Sequence, residues 1–320
     1  AKDFPKLLGI VADIIAHPTF PKEELYKVKE EQRAEIRRQR DYLVARCFRL
    51  FRKTLYRRHP YRLSILGTEE TLERIGRKDL IRYWKRYAVP SNMVLSIVGD
   101  LPWEEVEREV KRAFGELPAG KVPIIHPPGE ERPREVRERE FTYQKGKQVH
   151  LVLGFLGTTL DEDDRYPLEV LEAAMSGQGG RFFTRLRDEM GLAYAVTFFV
   201  RADLDPGYLG VYMATSPSKL PQALQGIKAL LKEVRERGIT EEELKRAKGY
   251  LIGGHEVGLQ GSLSLASALS FGELYGLGWD TYLKYPERIE RVTREDVLRV
   301  ARKYIDLNAY TLVILKPSRE

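Results

Sequence analysis

The sequence predicts an α+β fold of two related domains, each a mixed or antiparallel sheet packed with helices, the first incomplete at its N-terminal side. An internal repeat predicts the two domains. Ile75–Asp100 (IGRKDLIRYWKRYAVPSNMVLSIVGD) returns at an offset of 217 as Val292–Pro317 (VTREDVLRVARKYIDLNAYTLVILKP), pairing Asp79 with Asp296, Arg82 with Arg299 and Tyr87 with Tyr304. A second match, FPKEELYKVK from Phe20 against ITEEELKRAK from Ile239, lies at an offset of 219. Unequal lead-ins predict the incompleteness. About 150 residues precede Val292 within its domain but only 74 precede Ile75, so the first copy lacks the counterpart of roughly residues 140–219. A half-domain of this kind exposes apolar surface that a further segment or a partner should cover.

The elements follow from local signals. Phe4–Ala16 is an apolar helix stopped by His17-Pro18. Pro21 and Glu23-Glu24 sit where helix starts favour proline and acid, opening a helix that runs through Arg40. Tyr42–Tyr56 is a further helix, ended at His59-Pro60. The first repeat helix follows Arg77-Lys78-Asp79, with Met93–Val98 as the strand after it, and Trp103–Phe114 is a helix closed by Gly115. Lys121–Arg137 holds four prolines without periodicity and reads as a linker. Domains are therefore placed at 1–120 and 139–320, with the linker at 121–138. In the second domain, Glu138–Tyr143, Gln148–Leu156, Ala193–Val200 and Tyr208–Thr215 read as strands. Arg165–Ser176, Phe182–Met190, Leu220–Arg237, Glu241–Gly253 and Ser262–Tyr275 read as helices.

Composition narrows the function. A 42% hydrophobic content fills real cores, and no apolar run of about 18 residues exists to span a bilayer. A soluble protein of the cytoplasm or periplasm is expected, the compartment being left open. The lone Cys47 excludes an internal disulfide framework and Cys-based zinc fingers. Lys27–Arg62 carries thirteen Lys/Arg against four Asp/Glu. These charges fall at helical spacing between core residues, without an aromatic ladder, so they read as solvated helix faces rather than a nucleic-acid surface.

The five histidines (His17, His59, His126, His150 and His255) include no pair within five positions, so neither H-E-x-x-H nor H-x-x-E-H is present. His17 and His59, each before a proline, read as turn residues. The glycine loop at Gly177–Gly180 lacks Gly-Lys-Ser/Thr and lies between helices, which argues against a phosphate cradle. It reads as a connector or a substrate-contacting loop. In Arg187-Asp-Glu-Met-Gly-Leu-Ala-Tyr194, Gly191 ends a helix, Arg187 lies in its last turn and Tyr194 enters the next strand.

Several segments together resemble the pitrilysin/insulinase family of zinc metallopeptidases, which includes mitochondrial processing peptidase. They are HPY at His59–Tyr61, LGTEETL at Leu66–Leu72, PSNMVLSIVGD ending at Asp100, SGQGGRFFTRLRDEMGLAYAV at Ser176–Val196 and TEEELKRAK at Thr240–Lys248. The resemblance implies a clam-like peptidase chamber built from facing halves. It implies that the zinc-binding H-x-x-E-H helix lies in a partner or a missing segment, so this chain alone binds no cofactor and is inactive. The family's distal zinc-ligand position matches Glu35, but the acidic residue expected seven places earlier is Val28, and the helix LEVLEAAM has no His. The match is closest to the non-catalytic half, whose Arg/Tyr pair, here Arg187 and Tyr194, reaches the substrate at the other half's metal. Gly177, Gly179 and Gly180 fall where that half has its substrate-handling loop. The expected function is a subunit or half of a zinc endopeptidase acting on peptides or unfolded segments, partnered by an H-x-x-E-H-bearing chain. Two alternatives remain: a non-proteolytic structural subunit of the same fold, and a fragment of a full-length zinc peptidase.

Overall fold

The computed structural model describes residues 2–122, 125–144 and 146–318. The helices are α1 (Phe4–Ala16), α2 (Lys22–Asp41), α3 (Leu43–Leu55), α4 (Glu69–Arg74), α5 (Arg77–Tyr87), α6 (Trp103–Phe114), α7 (Arg165–Met175), α8 (Leu220–Arg237), α9 (Glu241–Gly258), α10 (Ser262–Leu274), α11 (Thr281–Arg291) and α12 (Arg294–Tyr304). The strands are β1 (Arg137–Tyr143), β2 (Val149–Leu156), β3 (Ala195–Arg201), β4 (Tyr208–Thr215) and β5 (Thr311–Pro317). The chain divides into two compact units: residues 1–37, 66–126 and 258–282 in one, and 38–65, 127–257 and 283–320 in the other. They interleave along the chain. Residues 38–65, which the sequence assigns to the first domain, cluster with the sheet-bearing unit, and 258–282, assigned to the second, cluster with the other.

The first unit is helical. Trp84 donates its indole N–H to Ile15 at 3.0 Å, and its ring meets Phe20 edge-on at 6.0 Å. Arg77 holds the carbonyls of Thr19 and Phe20, each at 2.8 Å, while α2 reaches the α4 region through Gln32 to Leu66 at 3.0 Å and Arg37 to Glu69 at 2.9 Å. Arg33 pairs with Glu30 and Glu73, so part of the basic stretch is neutralised within the unit. The repeat is visible in the caps: Gly76 donates its N–H to Asp79 at 2.9 Å, as Thr293 does to Asp296 at 3.0 Å in the second copy. Met93–Val98 forms no strand. Its counterpart β5 is paired on both sides, by β1 and β2, whereas Met93–Val98 finds no ladder among the described residues. On α1, Leu7, Ile10, Val11 and Ile14 are exposed.

The second unit is built on a five-stranded sheet in the order β1-β5-β2-β4-β3, with β1 and β5 parallel and the other pairs antiparallel. Both faces are covered, so β2 is buried along its whole length rather than alternately. Leu151, Leu153 and Phe155 enter a core with Leu168 and Leu171 of α7, Ile227 of α8 and Val297 of α12. Val152 and Leu156 face the other way, joining Cys47, Phe51 and Leu55 of α3. Glu130 accepts the backbone N–H groups of Arg57, Arg58 and His59 at 2.9, 2.8 and 3.1 Å. Burial opposes its ionisation, yet these donors hold it below the usual carboxylate range. His59 is buried and caps the turn Pro60–Arg62, its Nδ1 accepting from the Tyr61 N–H at 3.2 Å, the turn role read from the sequence. Among the described residues no helix is long and apolar enough to cross a membrane.

Candidate functional site

The segment from Ser176 to Tyr194 is fixed at both ends and packed on one side, with Gly177–Gly179, Arg187–Gly191 and Tyr194 exposed. At its start, Ser176 donates to the carbonyl of Phe198 on β3. Gly177 has φ +74°, a left-handed conformation that side chains resist. A Cβ at Gly180 would lie 2.2 Å from the Ser176 carbonyl oxygen, so no other residue fits there without moving the backbone. Arg181 then grips Glu243 through two nitrogens, Nε at 2.6 Å, and also approaches Glu233 at 3.4 Å. Burial disfavours the charged form of Glu243, but Arg181 and the Thr240 N–H hold it below the usual carboxylate range.

The next helix is not α-helical at its core. Phe183–Glu189 is a π-helix, its i→i+5 pattern continuing into Met190 N–H to Arg185 C=O at 3.1 Å. Phe182 and Leu186 are buried on one side, with Phe182 stacked on Phe198 at 5.9 Å. Arg187 lies on the exposed side, its guanidinium 4.6 Å above the Phe183 ring. Gly191 turns the chain, with its N–H bound to the Arg187 carbonyl at 3.1 Å. Thr215 then holds the Leu192 carbonyl at 2.6 Å, and the Tyr194 N–H binds Ala214 at 2.8 Å, placing Tyr194 at the mouth of β3. Tyr194 is 58% exposed. Neither the Arg187 guanidinium nor the Tyr194 hydroxyl has a hydrogen-bond or ion-pair partner among the described residues. A cationic donor and a phenolic donor, seven residues apart, are thus offered to solvent from a firmly anchored backbone.

Gly177 and Gly179 also line a cavity of about 640 Å³ bounded by α7, the end of β3 and α9; Gly180, Arg187 and Tyr194 are outside the lining. The cavity contains two carboxyls that sequence reasoning missed, Glu169 and Glu172, three apart on α7. Their signal was legible as two acids in the otherwise apolar LEVLEAAM. Burial pushes Glu172 up to about 7, against the opposing Val200 N–H and Arg201, and neighbouring Glu169 adds to the rise. Burial also raises Glu169, although Tyr285 donates its hydroxyl to it at 2.7 Å.

Glu35 is half-buried on α2 in the first unit. Among the described residues, no three His, Cys, Asp or Glu side chains gather closely enough to hold a metal ion. The described residues thus offer no zinc-ligand set, and no step of chemistry is assigned to a metal bound by them. His150, buried against the Tyr212 hydroxyl at 2.8 Å, is lowered by burial and serves the core.

The sequence profile of the "Peptidase M16 inactive domain" matches residues 74–251. An uncharacterized zinc protease, YmxG of Bacillus subtilis, is 30% identical over 97% of this chain and 75% of its own length. An uncharacterized zinc protease of Streptomyces coelicolor is 27% identical over 94% of this chain and 66% of its own. The chain thus spans about two thirds to three quarters of these relatives. In fold, it is similar to a peptidase M16 inactive domain from Pseudomonas fluorescens, with TM-score 0.90 at 21% identity, covering 100% of this chain and 76% of that one. It is also similar to a protease from Helicobacter pylori, with TM-score 0.88 at 20% identity, covering 99% and 77%.

Proposed function

This chain belongs to the peptidase M16 family, and we propose that it is the non-catalytic half of a zinc endopeptidase that acts on peptides or unfolded segments in a soluble compartment. The observation that carries the reading is the exposure of Arg187 and Tyr194, both unpaired, on a π-helix end and the strand after it. In this role, a zinc ion held by the other half would supply Lewis-acid chemistry to the reaction. The residues of this chain bind and orient. Arg187 and Tyr194 donate to carbonyl oxygens of the extended peptide, and the Gly177–Gly180 loop lets its backbone pass close by. The zinc-bearing helix belongs to a partner subunit or to another segment of a longer polypeptide; either source satisfies the proposal. The test is reconstitution. The purified chain should not cleave an unfolded, fluorescence-quenched peptide, and should do so when combined with a family polypeptide carrying H-x-x-E-H. Equal cleavage by that polypeptide with and without this chain would refute the role. A second reading, a purely structural subunit, would be favoured by a native complex whose members all lack the zinc motif.

A further inference from the structure

The cavity beside α7 is not explained by the Arg187/Tyr194 pair, which lies outside its lining. Its polar groups are unevenly matched. The second unit's other buried carboxylates are saturated: Asp164 has Arg299, Lys303 and Tyr304, and Glu243 has Arg181. Glu169 and Glu172 instead draw on neutral donors, the Tyr285 hydroxyl and the Val200 N–H, and among the described residues no cation pairs with either within 4 Å. Three guanidiniums share the cavity with these two carboxyls. Arg165 is fixed by hydrogen bonds to the Leu160 carbonyl and the Tyr166 hydroxyl, both at 2.7 Å, and its buried Nε–H is left without an acceptor. Arg201 and Arg246 are exposed at the rim and make no hydrogen bond or ion pair among the described residues. The N–H groups of Gly177, Gln178 and Gly179 in the wall also lack an acceptor among the described residues. Donors and positive charge outnumber acceptors, and the volume accommodates an amino-acid side chain or a chain end.

We propose that this cavity is a subsite for a carboxylate-bearing residue of a peptide, an acidic side chain or a C-terminus, held by Arg201, Arg246 and the backbone N–H groups of the glycine loop. The inference rests on the reading that this chain handles peptides. It carries a pH signature. Glu169, Arg201 and the Val200 N–H act on Glu172 directly, and Arg165, Arg246 and Tyr250 line the same cavity. With Glu172 at about 7, acidification removes a repelling charge and supplies an O–H donor, so a carboxylate binds more tightly at pH 6 than at pH 8, by up to roughly tenfold if only the protonated form binds.

The test is fluorescence anisotropy on the chain alone, with dye-labelled octapeptides of Ala, Ser and Leu. One has a free C-terminus; three are amidated, bearing one Glu, one Lys or neither. The subsite predicts that the free-ended or the Glu-bearing peptide binds at least fivefold more tightly than the amidated neutral one, and which of them wins identifies the source of the carboxylate. Arg246→Ala and Arg201→Ala, both at exposed positions, should each weaken that binding severalfold. Glu172→Gln should retain binding and lose the pH 6 to pH 8 difference. Preference for the Lys peptide, equal binding of all four, or indifference to both arginine substitutions would overturn the subsite. The preference for a carboxylate is read on the chain alone, by comparing peptides that differ only in that group, whatever Arg187 and Tyr194 contribute to holding the peptide backbone. Failure here is therefore distinguishable from failure of the cleavage role, which is read only in the reconstituted enzyme.

Discussion

Asp164, at the N-terminal edge of α7, offers a quantitative test of what holds the cavity wall in place. It is 7% exposed and accepts from Arg299 and Lys303, each at 2.6 Å, and from the Tyr304 hydroxyl at 2.9 Å. Burial alone would raise its pKa, but Lys303, Arg299 and Tyr304 reverse the effect and bring it down to about 2. The unfolded value is about 3.9. A depressed carboxyl contributes stability that is fully present above the unfolded value and is lost as pH falls through the folded one. The difference corresponds to about 2.6 kcal/mol by linkage. Arg299 and Lys303 are 52% and 43% exposed, and solvent screening reduces the net contribution to about 1–2 kcal/mol. Asp164→Asn should therefore lower the urea midpoint at pH 7 by that amount divided by the m-value. The gap between variant and wild type should shrink steadily from pH 4 to pH 2. The assay is urea unfolding followed by fluorescence across that range. A gap that is constant with pH, or absent at pH 7, would refute the reasoning.

Other consequences follow from the same geometry. Arg181→Ala leaves Glu243 buried without its cation and should destabilise the second unit by about 3–5 kcal/mol, whereas Arg181→Ala with Glu243→Gln should recover part of the loss; thermal unfolding of the three variants measures both. Phe51 is fully buried on the α3 side of the sheet, edge-on to Phe199 and Tyr208 at 6.3 and 5.7 Å, and Phe51→Ala should cost about 3–5 kcal/mol in urea unfolding. Gly180→Ala should lower the melting temperature, since its Cβ would meet two backbone carbonyls at 2.2 and 2.4 Å; an unchanged melting curve would mean that the loop can relax around it.

The elements most legible in the sequence carried two independent signals. Helices α5 and α12 show period and cap alike, and the caps recur at Asp79 and Asp296 in the structure. Strands β2 and β4 are legible because largely apolar runs of eight residues are bounded by turns. Met93–Val98 carried the same pattern and still formed no strand, because a strand is a property of its neighbours and not of its own side chains. Helix α11 was hidden by its internal Pro286, and α4, at six residues, is too short to show a period. The interleaving of the units was not legible either, since the apolar face of α3 does not say which sheet it will cover. At the site, Arg187 and Tyr194 could be placed at a helix end and a strand start from Gly191 alone, but the π-helical winding of Phe183–Glu189 and the cavity that gathers Glu169 and Glu172 required three-dimensional packing to reveal.

Steady-state kinetics of the reconstituted peptidase, comparing wild type with Arg187→Ala, Tyr194→Phe and the double variant, addresses the cooperating donors directly. If these donors act on the substrate at the other half's zinc, each single loss should lower kcat/KM by roughly 10²–10³-fold, equivalent to about 2.7–4 kcal/mol, with assembly and unfolding midpoints unchanged. A double variant that cleaves within twofold of wild type would contradict the assignment.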